Sequence, residues 1–595
     1  MTPAYKVPLR DMNFLFFELF SGADLTELDS FQDADPDTVR AILEEAAKFV
    51  EAEVLPLNYS GDQQGCELND GVVTVPEGFK EAYEKFIEAG WTALTGEPQY
   101  GGMGLPYSVG FMVSEMLSSA NQSFSMYPGL THGAAKLIET YGSDAQKALY
   151  LSKFSEGIWS GTMCLTEPHC GTDLGLIQTK ALPASDGDYQ LTGTKIFISS
   201  GEHNMTDNIV HLVLAKLPDA PDGIKGISLF IVPKFIPDAD GNVSERNGIH
   251  CGSIEHKMGV HANATCVMNL NGARGYLIGE PHKGMQAMFV MMNAARLGTG
   301  LQGFAAGERA YQGALSYAKE RLQMRSLSGV KYPELKADPI IVHADVRRML
   351  LTIKAYTEGC RAMSYWIAKE LDLADHHPDQ ARRELADDLA ALMTPVIKAF
   401  STDTGFESTN LGVQVFGGHG FIAEHGMEQL VRDVRIGQIW EGTNGIQALD
   451  LVGRKLALHK GRLLKNYIDI LEGFIAENEN HPLADQLLKP FSQSLETLKE
   501  TSQWLYEAGA ENLDHMGAAA VDYLRIFGLV SLAYMWSRMA FLAADSDPEG
   551  NDDFYQGKIA TAQFFMAKLL PQVDSLKQTA MNGADTLVGF PDSSF

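Results

Sequence analysis

In the first quarter of the chain apolar positions recur at steps of three and four, the spacing of helices buried along one face. Such segments occupy residues 37–54, 78–90, 107–120 and 133–141. The first opens behind Asp35-Pro36-Asp37, where a carboxylate can cap free amides and proline needs no donor. Residues 12–20 are also apolar but too few to span a bilayer, and read as a docked helix. Near Ser160 the pattern changes. Residues 190–199, 209–215 and 227–232 are short β-branched or aromatic runs separated by Gly, Pro, Asp and Asn, which predicts an antiparallel sheet or small barrel closing near Gly284. Helical spacing then returns: Val342, Val346, Met349, Ile353, Tyr356, Cys360, Met363 and Ile367 alternate steps of four and three, a bundle stripe read as core packing. Beyond His459 the pattern stays helical, with Gly, Pro and Asp breaks around 546–553. The expected organisation is multidomain α+β. It comprises an N-terminal helical domain (1–159), a central β domain (160–283), a helical bundle (284–458) and an additional helical domain (459–595).

A chain of 595 residues is too long for one core, so several domains are expected on size alone. Hydrophobic content of 45% and charged content of 21% are those of an ordinary globular protein. The formal charge of −29 argues against nucleic acid or an anionic membrane as main partner. Residues 518–544 form the longest apolar stretch, but Asp522, Arg525 and Arg538 interrupt it, which favours a buried helix over membrane insertion. Cys66, Cys164, Cys170, Cys251, Cys266 and Cys360 show no Cys-x-x-Cys spacing, and the N-terminus lacks a basic start, apolar run and small-residue cleavage site, which argues against a secretory signal. A reducing, cytoplasmic location follows as an expectation. No metal site is expected, because His169-Cys170 is a lone pair in the sequence. The run from Tyr100 to Pro106 is glycine-rich but lacks a leading strand and Gly-Lys-Ser, so it reads as a connector.

Three blocks carry candidate chemistry. In Gln438-Ile439-Trp440-Glu441-Gly442-Thr443-Asn444 an acid sits among apolar neighbours. Partial loss of water there raises a carboxyl's pKa and makes its anion a stronger base. Gly442 lets another molecule approach the backbone closely. Alone, a Glu before a Gly is more often a loop acid. Upstream lie the block from Met163 to Asp173 (Met-Cys-Leu-Thr-Glu-Pro-His-Cys-Gly-Thr-Asp) and that from Gln414 to Phe421 (Gln-Val-Phe-Gly-Gly-His-Gly-Phe). In this order and at these distances the three blocks resemble the acyl-CoA dehydrogenase family of flavoenzymes, over about residues 90–456.

The resemblance implies a helical, β, helical fold that α,β-dehydrogenates an acyl-CoA thioester. Glu441 matches the base that takes the α-proton, and the flavin N5 of FAD takes the β-hydride. No side chain accepts hydride, so a redox cofactor is required. The base's own backbone N–H and a ribityl hydroxyl would hold the thioester carbonyl. Some relatives carry the base at the position of Ala295, which cannot serve here. Cys164, Leu165, Thr166, Gly171 and Thr172 match the segment along the flavin, Thr172 also lying beside the pantetheine arm. Phe197 and Ser199, in Lys195-Ile196-Phe197-Ile198-Ser199, stand where most relatives have Trp and often Thr. Gln414, Gly417 and Gly418 resemble the turn that receives pyrophosphate and adenine from a neighbouring subunit. Arg321 and Gln323 resemble the other contacts in trans, and Thr443 a phosphate contact. Arg296 and Gly442 match the substrate-side wall. Gln429 and Gly445 depart from the usual residues on the adenine side.

A homodimer is expected, with a tetramer as alternative, and an electron-transfer flavoprotein as electron acceptor. An acyl-CoA oxidase, which returns electrons to oxygen, shares fold and base. A non-dehydrogenating relative that binds nucleic acid through its C-terminal domain is a third reading. Residues 461–595 hold nine Lys and Arg against nineteen Asp and Glu, a balance that opposes it. The length resembles an extended bacterial subgroup that includes 3-(methylthio)propanoyl-CoA dehydrogenases of sulfur-compound breakdown. The resemblance therefore leans towards short or medium acyl chains.

Overall fold

A computed structural model describes residues 5–184, 187–238 and 240–595. The chain divides into two compact units, one of Ala46–Leu105 and Met116–Gly298, the other of Met1–Glu45, Pro106–Glu115 and Thr299–Phe595.

The first unit is built on seven strands: β1 (Trp159–Cys164), β2 (Lys180–Pro183), β3 (Tyr189–Ser199), β4 (Asn208–Lys216), β5 (Ile227–Pro233), β6 (Ile249–Ile254) and β7 (Thr265–Ile278). β2, β3, β7, β5 and β4 pair in a ring that closes on β2, giving a small barrel. β6 adds to β7, and β1 adds to β4. The expected antiparallel pairing holds except at β1–β4 and β2–β4, which run parallel. Parallel neighbours need both faces covered, and β4 and β5 show it: nearly every residue in them is buried. Val213, Ala215, Phe230 and Val232 fill the barrel interior. Their alternates Val210, Leu212, Leu229 and Ile231 pack outward with Leu137, Tyr150 and Phe154 of two flanking helices. Each such side chain contributes about 1.5–3 kcal/mol relative to exposure.

The second unit is helical. The elements that matter below are α1 (Leu9–Asn13), α2 (Tyr107–Ala120), α3 (Gly284–Glu320), α4 (Ala344–His376), α5 (Gln380–Phe416), α6 (Asn444–Asp450), α7 (Leu513–Ser546) and α8 (Asp553–Phe564). The boundary between units falls within α2 and α3. Met349, Ile353, Tyr356, Cys360, Met363 and Ile367 of the stripe are all buried in α4. α3 and α5 cross at glycine: a Cβ on Gly303 would lie 2.2 Å from the Ser401 carbonyl oxygen, so the backbones touch where no side chain fits.

α7 carries the long apolar stretch, and 89% of its most apolar window is buried inside the protein. Gly528 packs on the Phe400 ring, Trp536 Nε1 donates to the Ala355 carbonyl oxygen (3.1 Å), and Tyr467 meets Ser531 (2.7 Å). A helix covered on every side has no polar face to keep.

Charge is also buried in this unit. The Arg361 guanidinium donates to Glu115 (2.7 Å), Asp11 (2.6 Å) and Glu308 (2.7 Å), joining α4 to α2, α1 and α3. Lys558 of α8 donates to Asp11 and to Glu358 (2.8 Å), and Lys354 also pairs with Glu358. Burial alone would raise the carboxyl of Asp11; Lys558 and Arg361 instead hold it down at about 2.

Candidate active site

Beyond β1 the chain makes a tight turn in which Glu167 and Cys170 exchange backbone hydrogen bonds (2.9 and 3.1 Å). The buried Glu167 carboxylate braces the turn. It accepts from Gln178 N (2.6 Å), Thr179 N (3.0 Å), the Thr179 hydroxyl (2.6 Å) and the fully buried Lys195 ammonium (2.8 Å), which also donates to the Leu165 carbonyl (3.0 Å). Burial would raise the Glu167 carboxyl, and Lys195 with the other donors holds it below the usual carboxylate range. Lys195 itself is lowered by burial, with Glu167 opposing.

The brace bears on β3. Between Lys195 and Ile198 the strand carries two residues, Ile196 and Phe197, opposite the single Val267 of β7, a bulge. Phe197 is left-handed (φ 59°) and the residue is 60% exposed. The Ile196 amide donates instead to the Thr166 carbonyl oxygen (2.9 Å). The bulge therefore does two things: it fastens the Thr166 segment and turns an aromatic ring outward beside it. Cys164 and Leu165 are buried, Thr166 and Ser199 are half-buried, and Gly171 and Thr172 are exposed. A hydroxyl, open backbone and a strained outward ring suit a planar heteroaromatic ligand. Arg296 is buried in α3.

In the helical unit Glu441 occupies a loop before α6. Its own φ is 55° and that of Gly442 is 86°, so two successive residues hold the left-handed region. For glutamate this costs about 1–3 kcal/mol and persists only where surroundings impose it. They do so here. The buried Lys398 ammonium donates to the Gly442 carbonyl (2.7 Å) and to Asn444 Oδ1 (2.9 Å). Asn444 Nδ2 donates to Ala399 O (3.2 Å), Thr402 Oγ1 (3.0 Å) and Asp403 (2.7 Å) of α5. Gln447 Nε2 donates to the Glu441 carbonyl (3.2 Å), and Gln438 Nε2 to Asp403 (2.7 Å). Glycine suits this φ, which side-chain-bearing residues rarely adopt, and a Cβ there would lie 2.5 Å from Gln447 Nε2, displacing that donor. Glu441 is half-buried, and the neighbouring Trp440 Nε1 is a buried donor without a hydrogen-bond partner. The Thr443 hydroxyl caps α6 by accepting from Ile446 N (3.3 Å).

The remaining candidates gather at the other end of α5. Gln414, Gly417 and Gly418 are exposed, Gly417 is left-handed (φ 59°), and a Cβ on either glycine would meet nothing within 4 Å. Tyr317 of α3 stacks on Phe416 (4.2 Å) and its hydroxyl meets His419 (2.9 Å). That contact brings the exposed Arg321 and Gln323, just past α3, towards the same turn. Open glycine amides beside an arginine suit a phosphate-bearing ligand. Twelve helical steps separate Thr402 from Gln414, about 18 Å along α5. Within one chain this turn and the Glu441 loop are therefore apart.

Lys398, Asn444 and Gln447, which fix the Glu441 loop, and the Glu167–Lys195 brace were not among the candidates. A lysine inside the apolar face of α5 was the available signal.

Matches to known proteins cover both units. Models of the acyl-CoA dehydrogenase N-terminal, middle and C-terminal domains match residues 36–158, 162–273 and 282–456, and an acetyl-CoA dehydrogenase C-terminal-like model matches 467–591. The 3-methylmercaptopropionyl-CoA dehydrogenase of Ruegeria pomeroyi is 41% identical over 586 residues, 98% of this chain and 99% of that one. A butyryl-CoA dehydrogenase of Syntrophomonas wolfei is 36% identical over 616 residues, 99% of each chain. The solved acyl-CoA dehydrogenase of Bacillus anthracis, complexed with FAD, superposes with a TM-score of 0.73 at 21% identity, covering 93% of this chain and 90% of that one. With its three characteristic domains matched in order and full-length relatives above 30% identity, the chain belongs to the acyl-CoA dehydrogenase family.

Proposed function

We propose that this protein is an FAD-dependent dehydrogenase converting a short acyl-CoA to its 2,3-enoyl-CoA, with Glu441 as the base. The observation that carries this reading is the clamped loop of Glu441. Glu441 is held in a strained backbone conformation by a buried lysine, an asparagine and a glutamine, which fix the loop around it. Fixed placement of a base against an α-C–H is what proton abstraction needs. The backbone N–H of Glu441 is the donor assigned to the thioester carbonyl, where negative charge develops as the proton leaves.

Bound FAD supplies the hydride acceptor that the side chains lack. Thr166, with Cys164 and Leu165 behind it, Gly171, Thr172, Phe197 and Ser199 are assigned to the ring. Gln414, Gly417, Gly418, Arg321 and Gln323 are assigned to the pyrophosphate and adenine of a partner subunit's cofactor. Thr443 has its hydroxyl proton left for a phosphate oxygen after capping α6. Arg296 and Gly442 are assigned to the substrate.

A trans arrangement supports a homodimer. Near the open glycines Phe421 is 84% exposed and Met324 72% exposed, apolar surface that association would cover. Electrons then pass to an electron-transfer flavoprotein, in the cytoplasm.

The Ruegeria relative and the butyryl-CoA relative favour a short linear chain, with 3-(methylthio)propanoyl-CoA and butanoyl-CoA as first candidates, because a thioether sulfur is close in size to a methylene. An acyl-CoA panel with an artificial electron acceptor, with oxygen uptake recorded alongside, tests this. Preference for palmitoyl-CoA by orders of magnitude overturns the substrate. Stoichiometric oxygen consumption makes the protein an oxidase.

A further inference from the structure

The turn after β1 holds a set of donors that the proposed dehydrogenation does not use. By exchanging backbone hydrogen bonds, Glu167 and Cys170 fold the four residues back on themselves. The turn thereby adds a carboxylate to the His169-Cys170 pair: the ligand atoms of Glu167, His169 and Cys170 all lie within 4.8 Å of one another. His169 Nε2 is 3.9 Å from Glu167 Oε2. Tetrahedral zinc, with bonds of about 2.0–2.3 Å, keeps its donors roughly 3.3–3.8 Å apart. Small side-chain rotations close the difference.

We propose that this turn binds a thiophilic divalent cation, zinc above all, through Glu167 Oε2, His169 and the Cys170 thiolate. One sulfur, one imidazole and one carboxylate select zinc over magnesium or calcium, which take oxygen donors. The two oxygens of Glu167 divide the work. Oε1 is engaged by Lys195 and Thr179, whereas Oε2 accepts from Gln178 N and faces His169. Lys195 opposes a dication, whereas the Glu167 and nearby Asp173 carboxylates attract it; burial and those same carboxylates push the Cys170 thiol up, so the cation has to displace its proton. Binding displaces the Cys170 proton to solvent. It also draws His169 from the Leu176 carbonyl oxygen, 2.9 Å away, a bond that the exposed imidazole can give up. A water fills the fourth position.

The turn stands between Thr166 and Thr172, so bound zinc would alter the surroundings of the flavin. That consequence rests on the proposed function; binding itself does not.

The test is titration of the tag-free, zinc-stripped holoenzyme with Zn2+ by calorimetry, and with Co2+ by absorption in the red, beyond the oxidised flavin's bands. Cys170→Ser and His169→Ala are measured in parallel. The expected result is one zinc per chain in the wild type, weakened at least roughly tenfold in each variant, the loss that even an outer hydrogen-bond partner of a metal ligand causes. Tetrahedral, sulfur-ligated cobalt bands should appear in the wild type and vanish in Cys170→Ser. No zinc uptake overturns the site, as does uptake that is equal in all three proteins. A flavin spectrum unmoved by zinc in a wild type that does bind it overturns only the placement of the turn beside the flavin.

Discussion

The buried ammonium of Lys398 lies 2.7 Å from the carbonyl oxygen of Gly442, so a cation inside the helical unit fixes the residue that follows the candidate base. Lys398→Met removes that donor and leaves the Gly442 carbonyl with the longer contact of Gln447 Nε2 (3.4 Å) and Asn444 Oδ1 with that of the Thr402 hydroxyl (3.3 Å). The expected result is a kcat lowered by roughly 10²-fold, as for a misplaced catalytic group, with FAD content unchanged. A kcat within a factor of two of wild type would show that the loop holds itself.

Glu441→Gln keeps the shape and the backbone donor while removing the base. Reduction of the flavin by substrate under anaerobic stopped-flow should slow by roughly 10²–10⁴-fold. Ala295 offers no substitute. Bleaching near the wild-type rate would assign proton abstraction elsewhere.

Gly418 faces open space, so Gly418→Leu should fold with an unchanged melting temperature in the apoprotein. The leucine fills the approach to the backbone amides. FAD occupancy and dimer content, read by absorbance ratio and light scattering, should fall together. Full occupancy would remove this turn from the cofactor site.

Lys558→Met leaves Asp11 and Glu358 buried with less compensation, at a cost of about 3–5 kcal/mol. Denaturant midpoints should shift accordingly, in the apoprotein as well as the holoprotein.

Asp372 accepts from the Tyr107 and Ser108 amides at the start of α2 (2.6 and 3.1 Å). Burial nevertheless raises its carboxyl from 3.8 to about 7, against those amides, which favour the charged form. The folded state thus prefers the protonated acid. Its contribution is complete below about pH 4 and is lost as pH rises towards 7. At 1.36 kcal/mol for each pH unit between the two values, the loss is about 4 kcal/mol at most. Asp372→Asn keeps an acceptor without the charge, so it should melt near wild type at pH 4 and above it at pH 8. Parallel melting curves across that range would exclude the effect.

Much of the architecture was legible because one residue set repeats one contact. The α4 stripe and the interrupted apolar run of α7 each predict a buried helix, and each is buried. The parallel pairing of β1 with β4 was not legible, because continuous apolar runs reveal double coverage but not direction. At the candidate site, local blocks carried Glu441, Thr166 and the open glycines. Lys398 lay outside them: it acts on Gly442 from 44 residues upstream, and a lysine in an apolar helix names no partner. The bulge at Phe197 was hidden too, since strand counting cannot see which residue is left over until the opposite strand is known.

Asp11 and Lys558 meet although they stand 547 positions apart, and Glu358 waits 200 positions for the same ammonium. At about 5–20 residues per second, that interval is roughly 10–40 s of synthesis. During it the cluster's cations already made are Arg361 and Lys354, facing the four carboxylates of Asp11, Glu115, Glu308 and Glu358. A nascent chain that has not yet reached Lys558 therefore holds this carboxylate cluster one cation short, at a cost that disfavours closing the interior around it. The position of one lysine in the chain thus sets when the charges of this interior can balance.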